Sequence, residues 1–248
     1  METITSLKNP RVLLWRSLKE RKGRRETGCF LVEGRKSVQE AIESGFDVEC
    51  LLLTAETEAD WPSAFPCCRL PEHVMAAVCD TKTPQGVAAV MRMREQKLPQ
   101  GRLAALDGVQ DPGNVGTIIR TADAAGFDGV LLSSACADPY SPKVLRATMG
   151  SVFHLPIRVT DDLPGELTAL RDQGCEIIST QLDGELLRYR ERSADRAVLV
   201  IGSEGNGVSP EVRALATRRV CLPMRGRAES LNAAVAAGIL MYAMMGEE

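Results

Sequence analysis

Three stretches of the chain gather the residue types from which a polar site can be built. They combine glycines, which let backbone approach a ligand closely, with Asn, Arg, Glu and Ser. The first, LDGVQDPGNVGTIIRTADAAGF, has a turn at Asp111-Pro112-Gly113, a capping candidate in Asn114, and Gly116 just before a helix expected from Thr117 to Ala125. Arg120 then falls in the first turn or so of that helix. A cation there opposes the helix dipole, so either a bound anion or a neighbouring carboxylate is expected beside it. The second stretch, GSEGNGVSPEV, sets Gly202, Gly205 and Gly207 around Ser203, Glu204 and Asn206, with Ser209 capping a helix that opens on Pro210. Its order is G-x-x-G-x-G rather than the dinucleotide G-x-G-x-x-G, and no acidic residue follows about 20 positions on at a strand end. It suits a glycine-lined loop for some other flat ligand, or simply a tight turn. The third, RGRAESLNAAVAAGILMYA, brings Glu229, Ser230 and Asn232 to the entry of an apolar helix. Ser230 reads as its N-cap. Asn232, a poor helix former two residues in, calls for a specific hydrogen-bond partner. The small face Ala233, Ala236, Ala237 and Gly238 would let another helix pack closely, as at a subunit interface.

Other chemistries lack support. There is no P-loop, no H-E-x-x-H and no G-x-S-x-G elbow, and His154 falls in a strand-like run where packing is its expected role. Eight cysteines are too sparse for a disulfide framework. Cys29, Cys50, Cys136, Cys175 and Cys221 lie in or beside apolar runs and read as small hydrophobes. Cys67, Cys68, His73 and Cys79 cluster but lack paired metal-ligand spacing, so no metal is expected.

The elements that carry the three stretches fall into two domains. Up to about residue 95, segments alternate: an amphipathic helix over 10–22, the strand CFLVEG, a helix over 35–44, the strand VECLLLT, then CCRL, the helix PEHVMAAVC, the turn DTKTPQG and the strand GVAAVMR. REQKLPQG, residues 94–101, reads as a linker. Domains of 1–95 and 101–248 follow. The second repeats strand then helix: RLAALDGV, GVLLS, FHLPIRV, CEIISTQ, RAVLVIG and RRVCLPM are its strands, with helices near 143–149, 164–173 and 210–216 between them. This α/β pattern implies a mostly parallel sheet with helices on both faces and ligands bound beyond the carboxyl ends of its strands.

The whole chain, 248 residues with 44% apolar and 25% charged, has the composition of an ordinary globular protein, and its net charge is −3. Within the first 36 residues, however, ten Lys or Arg face four Glu, a surplus of six. Lys19, Arg21, Lys22, Arg24 and Arg25 are the densest part, a face suited to a polyanion. The apolar run 231–245 is too short to cross a bilayer, and the first residues lack a secretion signal, so a cytoplasmic protein is expected.

Taken together, NVGTIIRTADAAGF, VLVIGSEGNG and LPMRGRAESLNAAVAAGIL, in this order and spacing, closely resemble the three signature motifs of the SpoU (TrmH-like) family of RNA 2′-O-ribose methyltransferases, of the SPOUT class. The likeness covers roughly residues 103–245, and DPYSPKVLRATMGSVFHLPI is similar to the family's segment between its first two motifs. FLVEGRKSVQEAI and DTKTPQGVAAV resemble the substrate-binding domain that many members carry, itself similar to small RNA-binding ribosomal proteins.

That resemblance implies a parallel-sheet catalytic domain with a deep trefoil knot, S-adenosylmethionine as methyl donor, RNA as substrate and a homodimer formed through the catalytic domain. It places the methyl donor at Gly202, Leu222 and Leu231, with Thr180, Ile201 and Met224 as neighbours. It gives Arg120 the central role, either activating the ribose hydroxyl with help from an RNA phosphate or positioning and stabilising it, and assigns Asn114, Glu204, Ser230 and Asn232 to holding Arg120, the loop and the ribose. Phosphate contacts are expected from Arg21, Arg24, Arg25, Lys143 and Arg146. Ribosomal RNA is the expected target. Transfer RNA, a non-catalytic RNA-binding protein on the same fold, a base methyltransferase and a nicotinamide-dependent enzyme are the competing readings.

Overall fold

A computed structural model of the protein describes residues 1–61, 64–94, 96–186 and 194–245, with main chain alone at 182 and 183. Glu95 of the expected linker, and residues 187–193 and 246–248 of the expected C-terminal domain, lie outside the described residues. The chain divides into two compact units, Met1–Glu95 with Tyr140–Phe153, and Gln96–Pro139 with His154–Glu248.

In the first unit the elements run β1 (Glu2–Thr3), α1 (Pro10–Ser17), α2 (Arg21–Thr27), β2 (Cys29–Glu33), α3 (Arg35–Glu43), β3 (Val48–Leu53), a 3₁₀ turn (Glu58–Asp60), β4 (Cys67–Arg69), α4 (Glu72–Val78) and β5 (Val87–Arg92). The strands form one mixed sheet in the order β1-β4-β3-β5-β2. Val12, Trp15 and Leu18 pack with Leu31, Cys50, Leu52, Cys68, Val74 and Val90 into a core, where alternate strand residues share a face. The expected helix over 10–22 is two helices. Arg24 explains the break: it is 2% exposed, and its guanidinium donates to the carbonyls of Leu18 at 2.7 Å and Lys19 at 2.8 Å, satisfying the frayed end of α1. Gly23 permits the close approach, since a Cβ there would collide with the Ser17 carbonyl. Lys19 likewise turns inward, donating to the carbonyls of Ala77 and Cys79 at the end of α4.

Residues 140–153, expected within the C-terminal domain, pack instead with the first unit as α6 (Pro142–Thr148) and most of α7 (Ser151–His154). Tyr140 lies 4.6 Å from Phe30 and Phe153 lies 5.4 Å from Phe46 between ring centroids, and Arg146 pairs with Asp80 at 2.8 Å. Aromatic burial of this kind holds the segment more firmly than chain proximity does.

The second unit contains β6 (Arg102–Asp107), α5 (Pro112–Ala124), β7 (Gly129–Ser133), β8 (Ile157–Thr160), α8 (Leu163–Asp172), β9 (Glu176–Leu186), β10 (Ala197–Gly202), α9 (Pro210–Ala214), β11 (Arg218–Cys221) and α10 (Ala233–Met245). Its six strands are all parallel, in the order β11-β9-β10-β6-β7-β8. β10 and β6 are buried apolar runs, as expected of strands covered on both faces. His154 closes the one-turn α7 rather than lying in a strand, and its Nδ1 sits 3.1 Å from Asp123. From β6 the chain moves on to β7, and from β10 it moves past β9 to β11. The carboxyl ends of β6 and β10 therefore flank a topological switch point, where such sheets open a crevice. Among the described residues no helix is long and apolar enough to cross a membrane.

Candidate active site

The crevice is built from the residues that follow β6, β10 and β11. After β6, Asp111 caps α5, its carboxylate accepting from the Asn114 backbone N–H at 2.8 Å. Helix α5 thus begins at Pro112, five residues earlier than expected. Asn114 is inside its first turn and Arg120 is two turns further on, which removes the dipole argument for an anion beside Arg120. After β10, the glycine loop closes on itself: the Ser203 and Gly207 backbones exchange hydrogen bonds at 3.0 and 2.9 Å, and the Ser203 hydroxyl accepts from the Asn206 N–H at 3.2 Å. Gly207 has φ 65°, and a Cβ on Gly202 would strike the Gly207 carbonyl carbon, so two of the three glycines are required by geometry. Asp107 at the end of β6 ties the loop down by accepting from the Ser209 N–H at 2.7 Å.

The helix of the third stretch starts two residues later than expected. Asn232, not Ser230, caps α10: its Oδ1 accepts from the Ala234 and Val235 N–H groups at 2.9 and 3.2 Å. Its Nδ2 is then free to donate to Asn114 Oδ1 at 2.9 Å, and Asn114 Nδ2 donates to Glu204 Oε1 at 2.5 Å. One amide therefore joins all three stretches, across sequence gaps of 90 and 118 residues. Arg120 is exposed on the same helix as Asn114, with no ion pair or hydrogen bond among the described residues. The neighbouring carboxylate that would have given it a purely structural role is absent there.

Beside this cluster lies a cavity of about 480 Å³ at the carboxyl ends of β9, β10 and β11, within the size range of small-molecule sites. Thr180, Ile201, Gly202, Glu204, Leu222, Met224, Ser230 and Leu231 all line it, so eight of the eleven catalytic and methyl-donor residues expected from the resemblance meet on one surface. Asn114 and Asn232 join it through the amide chain. The apolar walls are closed by Val220, Ala237 and Leu240. Sequence reading missed two polar lining residues, Gln181 and Arg213. Gln181 had a faint signal, a second polar residue after Thr180 in a run otherwise suited to a buried strand.

Residues 102–242 match the SpoU rRNA Methylase family. The chain belongs to that family. Residues 9–89 of this SpoU-family chain also match the MRM3-like substrate binding domain. It is 40% identical over 249 residues to the 23S rRNA (guanosine(2553)-2′-O)-methyltransferase RlmP of Bacillus subtilis, covering 99% of this chain and all of that protein. It is 33% identical over 261 residues to a 23S rRNA (uridine(2479)-2′-O)-methyltransferase of Streptomyces viridochromogenes, covering 96% of this chain and 90% of that one. Among solved structures, an AdoMet-bound rRNA methyltransferase from Sinorhizobium meliloti superposes with a TM-score of 0.88 at 35% identity, over 98% of this chain and 97% of that one.

The other expected site residues of this SpoU-family chain divide between surface and interior. Arg21, Arg25 and Lys143 are at the surface of the first unit, and Arg146 is half-exposed but paired with Asp80. Arg24 is not an RNA-contacting candidate, because it is buried and engaged with α1. Of the small residues expected to form one face of α10, Ala233, Ala236 and Ala237 line the cavity and Gly238 faces Thr121 of α5. Among the described residues no group of three or more His, Cys, Asp or Glu side chains is placed to hold a metal.

Proposed function

We propose that the protein transfers the methyl group of S-adenosylmethionine to a ribose 2′-hydroxyl of ribosomal RNA. The observation that carries this reading is the placement of the polar cluster. Asn114, Glu204 and Asn232 are joined by hydrogen bonds at the mouth of an apolar cavity, with Arg120 exposed on the helix that carries Asn114. The relatives named for 2′-O-methylation of 23S rRNA, and the AdoMet-bound neighbour, supply the substrate and methyl donor that fit it. The cavity suits the donor: apolar walls from Ile201, Val220, Leu222 and Leu240 can receive an aromatic ring, and the glycine loop with Leu222, Met224, Ser230 and Leu231 brings main chain to its edge.

When bound, S-adenosylmethionine supplies an electrophilic methyl carbon on a sulfonium. The chain's own residues align the nucleophile and shape its surroundings. Methyl transfer is an in-line displacement that needs no covalent intermediate with the protein, so alignment and charge stabilisation carry the rate. An arginine side chain keeps its charge at any working pH, so Arg120 acts by holding the ribose oxygen and stabilising the negative charge that grows on it as the hydroxyl proton passes to an RNA phosphate or to water. Asn114 holds the glycine loop through Glu204 and the start of α10 through Asn232, fixing the mouth of the cavity. Ile201, Leu222 and Leu231 give the cavity apolar lining, beside which a preorganised charge acts more strongly than in bulk water.

Three further parts of the reading rest on this site. The trefoil knot expected of the family is supported by strand order, with β10 inserted between the earlier strands β9 and β6, and by residues 222–231 reaching back to the loop after β10. A homodimer is supported by the outer face of α10, where Val235, Ile239, Tyr242 and Met245 are 36 to 51% exposed in a stripe with helical spacing. The first unit, like small RNA-binding ribosomal proteins, binds the substrate RNA through its basic surface, with Arg21, Arg25, Lys143 and Arg146 as phosphate contacts.

The test is to supply S-adenosylmethionine labelled on its methyl group with unmodified ribosomal RNA, then digest the product to nucleosides. Label in a 2′-O-methylnucleoside is the expected result. Label on a base, or acceptance of transfer RNA alone, would overturn the reading.

A further inference from the structure

One polar atom of a cavity-lining residue has its hydrogen bonding unmet. Gln181 sits where the pairing of β9 with β11 jumps from Ser179 opposite Arg219 to Glu185 opposite Val220, so residues 180–184 leave the regular ladder. The side chain is only 9% exposed and lines the cavity. Its Nε2 donates to the buried Ser179 hydroxyl at 3.2 Å, which orients the amide. Oε1 is left buried with no donor among the described residues, and because it is closed to solvent the amide must turn for a ligand in the cavity to reach it. A buried carbonyl oxygen without a donor destabilises the protein that contains it, and a methionine of similar length would pack there without that cost. Such a group is expected where a ligand completes it.

The ligand's orientation follows from strand order. Asn114 and Arg120 stand on the helix after β6, whereas Gln181 belongs to β9, with β10 between them. Two strand spacings put the ends of these strands roughly 10 Å apart. In S-adenosylmethionine the methyl-bearing sulfur hangs from C5′ and the adenine ring from C1′, at the two carbon ends that flank the ribose ring oxygen. With the methyl directed to the Arg120 end, adenine is the part that reaches β9, among Ile201, Val220, Leu222 and Leu240. The hydrogen-bond donor on adenine is its 6-amino group.

We propose that Gln181 Oε1 accepts a hydrogen bond from the 6-amino group of the bound adenine, making Gln181 a residue that selects the adenosyl donor. This rests on the cavity being the methyl-donor site. The recognition differs from main-chain contacts of the motif loops in that one substitution removes it.

The experiment is calorimetric binding of S-adenosylhomocysteine and S-inosylhomocysteine to the full chain, since the inosyl compound replaces the 6-amino group by a carbonyl. Wild type binds the adenosyl compound about tenfold more tightly, the value of one hydrogen bond together with the acceptor it would otherwise leave unmet. Gln181→Met weakens adenosyl binding by about the same factor and leaves inosyl binding within about twofold of wild type. A melting curve without ligand shows that the variant is folded. Equal or tighter inosyl binding by wild type would overturn the assignment with no variant needed, as would undiminished discrimination in Gln181→Met. Wild type that binds neither compound would overturn the methyl-donor reading itself and this assignment with it.

Discussion

Asn114 uses both ends of its side-chain amide, donating to Glu204 and accepting from Asn232. Changing Asn114 to Asp keeps its size but turns the donor into an acceptor facing the Glu204 carboxylate. The expected outcome is a kcat/KM lowered at least tenfold, with a melting temperature within a few degrees of wild type. Adding Glu204→Gln restores a donor to the pair, so the double variant should recover about 1 kcal/mol of the deficit in a double-mutant cycle of methyl transfer. Additive effects would mean that the two side chains do not act together. At this scale the sequence was informative about which residues matter and poor about how. Asn232 was legible as needing a partner, because Asn at a helix entry is there for its hydrogen bonds, but the partner lies 118 positions away and no local rule reaches it. Arg24 was misread for the complementary reason: an arginine in a basic run looks solvated until the carbonyl ends of α1 are seen to surround it.

At the scale of elements, α10 has two faces with different tasks. Ala233, Ala236 and Ala237 line the cavity and Gly238 meets α5, whereas the large apolar residues Val235, Ile239 and Tyr242 are exposed. Val235→Asp with Tyr242→Asp should convert a dimer to a monomer in sedimentation, while circular dichroism stays that of a folded chain. A monomeric wild type at micromolar concentration would contradict the dimer. The sheet of the first unit carries a separate prediction. Burial pushes the thiols of Cys50 in β3 and of Cys79 after α4 up to about 12, with neighbouring Cys68 and Glu33 respectively adding to the effect. In the unfolded chain these thiols ionise nearer their ordinary value of about 8.5 to 9. Their contribution is therefore complete below that pH and is lost as pH rises towards 12. Unfolding free energy from urea titrations should be flat from about pH 7 to 8.5 and fall above it, and fall less in Cys79→Ala. An equal fall in that variant would remove the thiol from the account. Element types were largely readable from apolar periodicity, whereas helix starts moved where a cap was misassigned, by five residues at Asp111 and by two at Asn232.

For the whole molecule, the alternation of strands and helices was enough to give two α/β parts and a parallel sheet. It could not show that residues 140–153 join the first unit, since Tyr140 and Phe153 find Phe30 and Phe46 only in the folded chain. The uneven charge belongs to this scale too. Replacing Arg21 and Arg25 by Glu should weaken ribosomal RNA binding and flatten its dependence on salt, by about one unit of slope for each phosphate no longer neutralised, with methyl-donor affinity unchanged. An unaltered salt slope would place the RNA elsewhere. Residue, element and whole molecule meet in Arg120, which the first motif supplies, α5 positions and the RNA must reach. The decisive measurement is single-turnover methyl transfer by Arg120→Ala, with methyl donor and ribosomal RNA both saturating. The rate should fall by at least a hundredfold, as expected when a preorganised charge at the reacting oxygen is removed, while affinity for both ligands stays within about threefold of wild type. A rate within threefold of wild type would contradict the role of Arg120 and with it the chemistry assigned to this site.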